Sequence, residues 1–451
     1  MTEPGNPVSG TPAGRPLRVS HGTRLGYGLG DVGFVMVWQG SALFLLFFYT
    51  ETLGLPPWMA GSIYLAGMIW DALTDPLVAT WIERRARRAG RYRQFMAMAA
   101  LPIAVSYPLM FSGPLPALWA TALWALLSHL LFRTAFTFAS MPYNALPTRL
   151  TGDPGPRNGL AAIRVVGAAL GGLLVAVGTP VLVSFASSLS SPGLAPLFAA
   201  SLVGLLAGLA LWTSSQLMDE PNLPVESDAG HRFGAELAQL FRSVLHERRF
   251  RILICVMILC TLSFGLHTQT VLYWLEYQLQ LPALAPVALA VPALAMILTA
   301  PLWAFLAHRI SKTATLCVGL LIAAAGYAGL ALLPQAAAVP AIAFLVVAAS
   351  GNACLPVMFW SLMPDAIDQH ASRTGERIEA RLFGLATFAQ KSAAGLAALV
   401  IGVLLSLSGY VAETMQTQPA RLTILALATA LPALCLLATL LVLRDYDRDD
   451  R

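Results

Sequence analysis

With 57% of its 451 residues hydrophobic and only 11% Asp, Glu, Lys or Arg, the chain is too apolar and too sparsely charged for a water-soluble fold, in which about 25% of residues are charged. Its formal charge of +5 does not point to nucleic acid, because the basic residues lie in short connections between apolar blocks instead of forming one basic face.

Apolar blocks long enough to cross a hydrocarbon core of about 30 Å follow one another along the whole chain. The predicted helical spans are 25–50, 57–82, 94–113, 117–141, 159–182, 193–216, 249–275, 283–307, 313–333, 338–363, 379–408 and 420–443. The first begins near Leu25 with no small-residue cleavage site behind it, so it reads as a retained span and not as a signal peptide. The connection at 83–93 carries six arginines, Arg84, Arg85, Arg87, Arg88, Arg91 and Arg93, a cytoplasmic anchor under the positive-inside rule. Basic residues recur in every second connection, through Arg149 and Arg157, Arg309 and Lys312, Arg373 and Arg377, while the alternate ones carry almost none. This pattern predicts an all-α membrane protein of the inner membrane with an even number of spans and both termini cytoplasmic. Pro356 and Pro364 in the tenth span predict kinks.

The longest connection divides the spans six and six. The expected organisation is a cytoplasmic tail at 1–24, a six-helix half at 25–216, a cytoplasmic loop at 217–248 with an amphipathic stretch near Phe233 to Leu245, a second half at 249–443 and a tail at 444–451. Two six-helix halves facing each other across a central cavity is the layout of the major facilitator superfamily.

An ionisable side chain at the bilayer centre costs about 2.5–3.5 kcal/mol or more, so such groups face a cavity or one another. The second span holds Asp71 and Asp75, four residues apart and therefore on one helical face. Two carboxylates that close repel unless a cation or proton intervenes, which is what a Na+ or H+ coupling site requires; pairing with a basic neighbour at the cytoplasmic end is the alternative. Thr74 offers a hydroxyl, partly off that face. Lys391, one of two lysines in the chain, falls mid-span, and its expected partner is a second-span carboxylate across the cavity. Arg164 is a candidate donor to an anionic or hydroxyl-rich ligand. Thr137, Ser140 and Asn144 give the fourth span a polar face; Arg133 ranks below Arg164, and Asp31 is a candidate structural partner for cytoplasmic or interior arginines, its assignment open. The cysteines Cys255, Cys260, Cys317, Cys354 and Cys435 read as packing residues without metal-ligand spacing. No nucleophile-base constellation, phosphate loop or metal cluster suggests an enzyme or a cofactor.

The segments RLGYGLGDVG, FFYTETLGL, IWDALTDPLVATWIERRARRAGRYRQF and MPYNALPTRL, with LMPDAIDQH and EARLFGLATFAQKSAAG in the second half, resemble the glycoside-pentoside-hexuronide:cation symporters, the family of the melibiose carrier, which includes sodium-coupled lysolipid carriers. The resemblance spans most of the chain. It implies that Asp71 and Asp75 stand at two cation-site aspartates, Thr74 at an asparagine ligand, Thr137 at a threonine near the cation, Lys391 between the cation and sugar sites, and Arg164 and Thr387 at sugar-site positions. The sugar site departs from the galactoside pattern: Val35 and Ser140 replace aspartates, Asn144 the stacking tryptophan, Phe136 a tyrosine and Ala386 a glutamine.

The expected function is cation-coupled symport of a small organic solute, a sugar, glycoside or related compound other than a typical galactoside, by a protein acting as a monomer in membrane lipid and binding no nucleic acid. The alternatives are a Na+-coupled lysolipid or amphiphile carrier and a non-transporting membrane sensor.

Overall fold

The computed structural model describes residues 19–89, 91–151, 154–189, 192–221, 247–374 and 379–446. The amphipathic stretch expected near Phe233 to Leu245, most of the expected N-terminal tail, Arg377 and the end of the C-terminal tail lie outside these residues. The helices are α1 His21–Phe47, α2 Pro57–Ala89, α3 Arg93–Leu109, α4 Leu118–Leu150, α5 Pro154–Leu189, α6 Ala195–Leu217, α7 Arg248–Tyr273, α8 Ala285–Arg309, α9 Lys312–Ala331, α10 Ala338–Asn352, α11 Cys354–Thr374, α12 Glu379–Leu407, α13 Gln418–Leu425 and α14 Leu431–Leu443. Among the described residues, ten helical stretches are long and apolar enough to cross a membrane. The two other long helices are α2, which carries two carboxylates and an arginine-rich end, and α3, of 17 residues. The protein is thus an all-α, multi-spanning membrane protein with ten to twelve long apolar helices. Its outer surface is apolar, with side chains such as Leu101, Leu298 and Leu302 exposed where lipid tails replace water.

Sequence chemistry sets the helix ends. The hydroxyls of Ser20, Ser311 and Thr417 accept bonds from the backbone N–H three residues on, opening α1, α9 and α13. The structure departs from the sequence reading at several helix ends: α4 runs past 141 to Leu150, for example, and α11 past 363 to Thr374. Arg84 to Arg88 continue α2 down to Ala89 instead of forming a connection, because arginine is a good helix former and no breaker precedes Gly90. The tenth span divides into α10 and α11 at Ala353, where Pro356 has no N–H to offer the carbonyl of Asn352.

Within the first half α1 packs on α5 and α6, α3 on α4 and α6, and α2 on α4. In the second half α9 packs on α10 and α14, and α7 on α12 and α14. The halves meet along α2 with α12, α5 with α8, and α1 with α7. Small residues allow the α2–α12 approach: a Cβ on Gly61 would collide with the carbonyl of Ala398, and one on Gly402 with the carbonyl of Pro57.

The first helix of each half ends alike. α1 runs into a π-helical segment, Phe48–Thr52, and α7 into Trp274–Leu279. The wider π turn rotates the side chains that follow. Here it brings the two helix ends together across the molecule: Thr50 Oγ1 and the Tyr273 hydroxyl are 2.6 Å apart, the Tyr277 hydroxyl donates to Glu51 Oε2 at 2.8 Å, and the backbone N–H of Glu413 donates to the same oxygen at 3.1 Å. Trp58 N–H donates to Ser406 Oγ at 3.0 Å nearby. At the opposite, arginine-rich end the ion pairs Arg149–Glu220, Lys312–Asp365 and Arg248–Asp445 each stay within one half. Among the described residues, these bonds join α1 to α7 and α2 to the end of α12 at the end remote from the arginines.

Candidate functional site

Halfway along α2, Asp71 is fully buried and Asp75 is 17% exposed. Their spacing of one helical turn points both carboxylates at the same neighbours on α4 and α12. The Thr137 hydroxyl lies 2.7 Å from Asp71 Oδ1 and 3.1 Å from Asp75 Oδ1. From the other half, Lys391 Nζ sits 2.9 Å from Asp71 Oδ2 and also pairs with Asp75 Oδ2. One ammonium thus pairs with two carboxylates across the interface between the halves, where a lone charge would be costly. Thr74 is not part of this group. Its hydroxyl donates back to the carbonyls of Trp70 at 2.9 Å and Asp71 at 3.3 Å, as an in-helix threonine does.

A second polar group lies farther toward the arginine-rich end. Arg164 Nε donates to Asp31 Oδ1 at 3.1 Å, and its Nη2 donates to Asn144 Oδ1 at 2.9 Å. The guanidinium rests over the Tyr143 ring at 5.4 Å. Tyr143 stacks on Tyr27 with centroids 4.6 Å apart and donates its hydroxyl to the Tyr27 carbonyl at 2.7 Å. Arg164 is nonetheless 42% exposed, so this cation is oriented by protein and open to a solute. Ser140 is buried and Val35 half-buried, and Ser140 Oγ lies 3.5 Å from the Thr137 carbonyl that it faces. Thr387 is exposed, with its hydroxyl turned to the carbonyls of Phe383 and Gly384. Phe383, Thr387 and Lys391 recur every four residues on one face of α12. Phe383 also stacks parallel on Trp360 of α11, with centroids 5.8 Å apart and planes 2° off parallel.

One neighbour of this cluster, His129, was not among the residues singled out from sequence, and Arg133 ranked below Arg164. His129, Arg133 and Thr137 form a stripe at four-residue spacing on α4 that leads to Asp71. Arg133 is 1% exposed, donates from Nε to His129 Nε2 at 3.1 Å, and lies under the Trp38 ring at 4.8 Å. Its Nη1 is 3.9 Å from Asp71 Oδ2. The spacing was visible in the sequence; that it faces α2 instead of lipid was not.

One charged cluster thus bridges the two groups of helices, and a second polar group lies within the first. Residues 26–450 match the family described as MFS/sugar transport protein. The chain belongs to that family. It is a secondary active transporter that moves a small organic solute by alternating access, not an enzyme, and it resides in the inner membrane as a multi-pass protein. It is 26% identical over 438 residues to the uncharacterized symporter YnaJ of Bacillus subtilis, covering 96% of this chain and 93% of the relative. It is also 26% identical over 411 residues to the glucuronide carrier protein homolog of Escherichia coli, covering 89% and 86%. Among solved structures, the nucleoside transporter NupG (D323A mutant) superposes with a TM-score of 0.70 at 13% identity, over 93% of this chain and 99% of that one, a likeness of fold.

Proposed function

We propose that this transporter is a cation-coupled symporter of the glycoside-pentoside-hexuronide type. It has twelve spans in two six-helix halves, 25–216 and 249–443, and a cytoplasmic tail at 1–24, loop at 217–248 and tail at 444–451. The carrying observation is the bridge from Lys391 to both Asp71 and Asp75 across the halves. In this reading Asp71, Asp75 and Thr137 hold the coupling cation, Na+ or H+, and Lys391 holds their place when it is absent. A cation at the carboxylates releases the ammonium toward the cavity, and the bound solute completes the closed interface. Because the linkage is reciprocal, the solute tightens cation binding by the factor with which the cation tightens solute binding.

The solute site is built from Arg164, Asn144, Ser140, Val35 and Thr387, with the Trp360–Phe383 pair as an aromatic wall. A fixed guanidinium beside a neutral amide suits a hydroxyl-rich or anionic small molecule, a sugar, glycoside or related acid. The glucuronide carrier homolog among its relatives accords with that class. Loss of the aspartates at Val35 and Ser140 argues against galactosides. With the termini and the arginine-rich end cytoplasmic, the bonds at Glu51 and Tyr277 lie at the outer face.

The test is uptake into proteoliposomes holding the purified protein, with radiolabelled glycosides, pentoses, hexuronates and lysolipids offered under an imposed Na+ or H+ gradient. Accumulation of a sugar-class solute that collapses with the gradient, and is lost in Asp75→Asn, is the expected result. Gradient-driven accumulation that survives Asp75→Asn removes that residue from the cation site.

A further inference from the structure

The proposed cation site contains a charge that cannot leave it. Lys391 reaches Asp71 and Asp75 on a flexible stem and is 14% exposed, so it can swing into the cavity. Arg133 cannot. It is 1% exposed, with Nε on His129 Nε2 at 3.1 Å, Nη2 3.5 Å from Ser41 Oγ and the guanidinium under Trp38 at 4.8 Å. His129 accepts at Nε2 and so contributes no charge of its own there. Arg133 Nη1 is left without a hydrogen-bond partner and lies 3.9 Å from Asp71 Oδ2, itself fully buried. A guanidinium stays protonated in any protein environment.

We propose that Arg133 is a specificity-determining residue that withdraws Asp71 from metal coordination and closes the site to Na+. The inference rests on the reading of Asp71, Asp75 and Thr137 as the coupling site and narrows its cation. With Lys391 swung away, two carboxylates without Arg133 would present two negative charges to an entering ion. With Arg133 they present one. The ligand set shrinks as well. Asp71 Oδ2 faces the guanidinium, Asp71 Oδ1 is held by Thr137 at 2.7 Å, and the Thr74 hydroxyl is spent on its own helix. That leaves the Asp75 carboxylate and the Thr137 hydroxyl, whereas a hard metal cation requires a shell of oxygens close on all sides. A Na+ bridging both carboxylates would also stand beside a fixed positive charge in a medium of low dielectric. The ammonium of Lys391 meets neither difficulty, because it needs hydrogen bonds and not a coordination shell.

The decisive measurement is equilibrium binding of radioactive Na+ to the purified protein in detergent, in choline chloride of constant ionic strength. The wild type is expected to bind no Na+ above the choline control. Arg133→Gln, which keeps a donor for His129 but drops the charge, is expected to gain Na+ affinity by about tenfold or more, while Arg133→Lys, which keeps the charge, stays blind. Adding Asp75→Asn to Arg133→Gln should abolish the gain. Specific Na+ binding by the wild type overturns the proposal by itself, without dependence on any variant that fails to fold. If that binding disappears in Asp75→Asn, the cation site stands and only the role of Arg133 falls. A gain in Arg133→Gln that persists without Asp75 overturns both, since Na+ would then bind elsewhere.

Discussion

The Tyr277 hydroxyl donates to Glu51 Oε2 at 2.8 Å across the two halves, each residue carried on the π-helical end of the first helix of its half. The same carboxylate oxygen accepts from Glu413 N–H at 3.1 Å, so one side chain ties α1 to α7 and to the turn that follows α12. Around it lies a cavity of about 650 Å³ lined by Glu51, Glu276, Tyr277, Glu413 and Arg421 among others. The closure at this end hangs on few polar bonds.

Tyr277→Phe removes the phenolic donor and leaves the ring in place. A hydrogen bond to a charged group contributes about 1.5–3 kcal/mol, so on the proposed orientation the closed end remote from the arginines loses roughly ten-fold or more of its population advantage. The expected outcome is faster alkylation of a cysteine placed at Thr50, measured from the outer side of oriented vesicles in a background whose native cysteines are replaced. An unchanged rate in both Tyr277→Phe and Glu51→Gln removes this bond from the gate.

Lys391→Ala leaves Asp71 and Asp75 facing each other without their shared ammonium. Breaking a buried ion pair from one side costs about 3–5 kcal/mol, with the lower end expected because Lys391 is partly exposed. Thermal unfolding in detergent should fall by several degrees, and adding Asp75→Asn should recover part of the loss. A double-mutant cycle with no coupling energy would mean that the two residues do not interact in solution.

Some of this site was legible in the sequence and some was not. The four-residue spacing of Asp71 and Asp75, and an ammonium at Lys391 deep in an apolar span, point to one another because neither is tolerable alone in lipid. Asp31 and Arg164 are harder to pair from sequence, since both lie near the ends of spans where water can satisfy them. Arg133 escaped a higher rank because helical periodicity gives a face but not what faces it. Glu51 and Tyr277 were hidden for another reason. A π turn adds a residue to the helical repeat, so the direction of every later side chain departs from the period that sequence reasoning assumes. The break at Ala353 was foreshadowed by Pro356, although one apolar run cannot say whether proline bends a helix or divides it.

Arg164→Lys tests whether the solute site needs a fork or only a charge. The guanidinium reaches Asp31 from Nε and Asn144 from Nη2 at once, which an ammonium on a single stem does not reproduce. The expected result is a folded protein whose apparent affinity for its solute drops by about tenfold or more, with Arg164→Ala no worse than Arg164→Lys. Uptake kinetics of the solute found in the proteoliposome panel give the answer. Full activity in Arg164→Lys would reduce the residue to a point charge.

Gly402→Leu addresses the packing that lets the halves close. A Cβ at this position meets the carbonyl of Pro57 at the start of α2, and Gly61 on α2 stands within reach of the same contact. A backbone carbonyl has no rotamer with which to yield, so the strain must be relieved by separating α2 from α12. Those two helices also carry the Asp71, Asp75 and Lys391 cluster. Overpacking of about 1–3 kcal/mol placed at the closed end alone should therefore shift the protein toward the conformation open on the outer side without emptying the site. The expected reading is outer-face labelling at Thr50 raised as in Tyr277→Phe, with Lys391→Ala still destabilising when introduced into Gly402→Leu. If the labelling rises and Lys391→Ala no longer costs stability, the carboxylate cluster opens together with the gate, and the bridge belongs to the closed outer face rather than to the site.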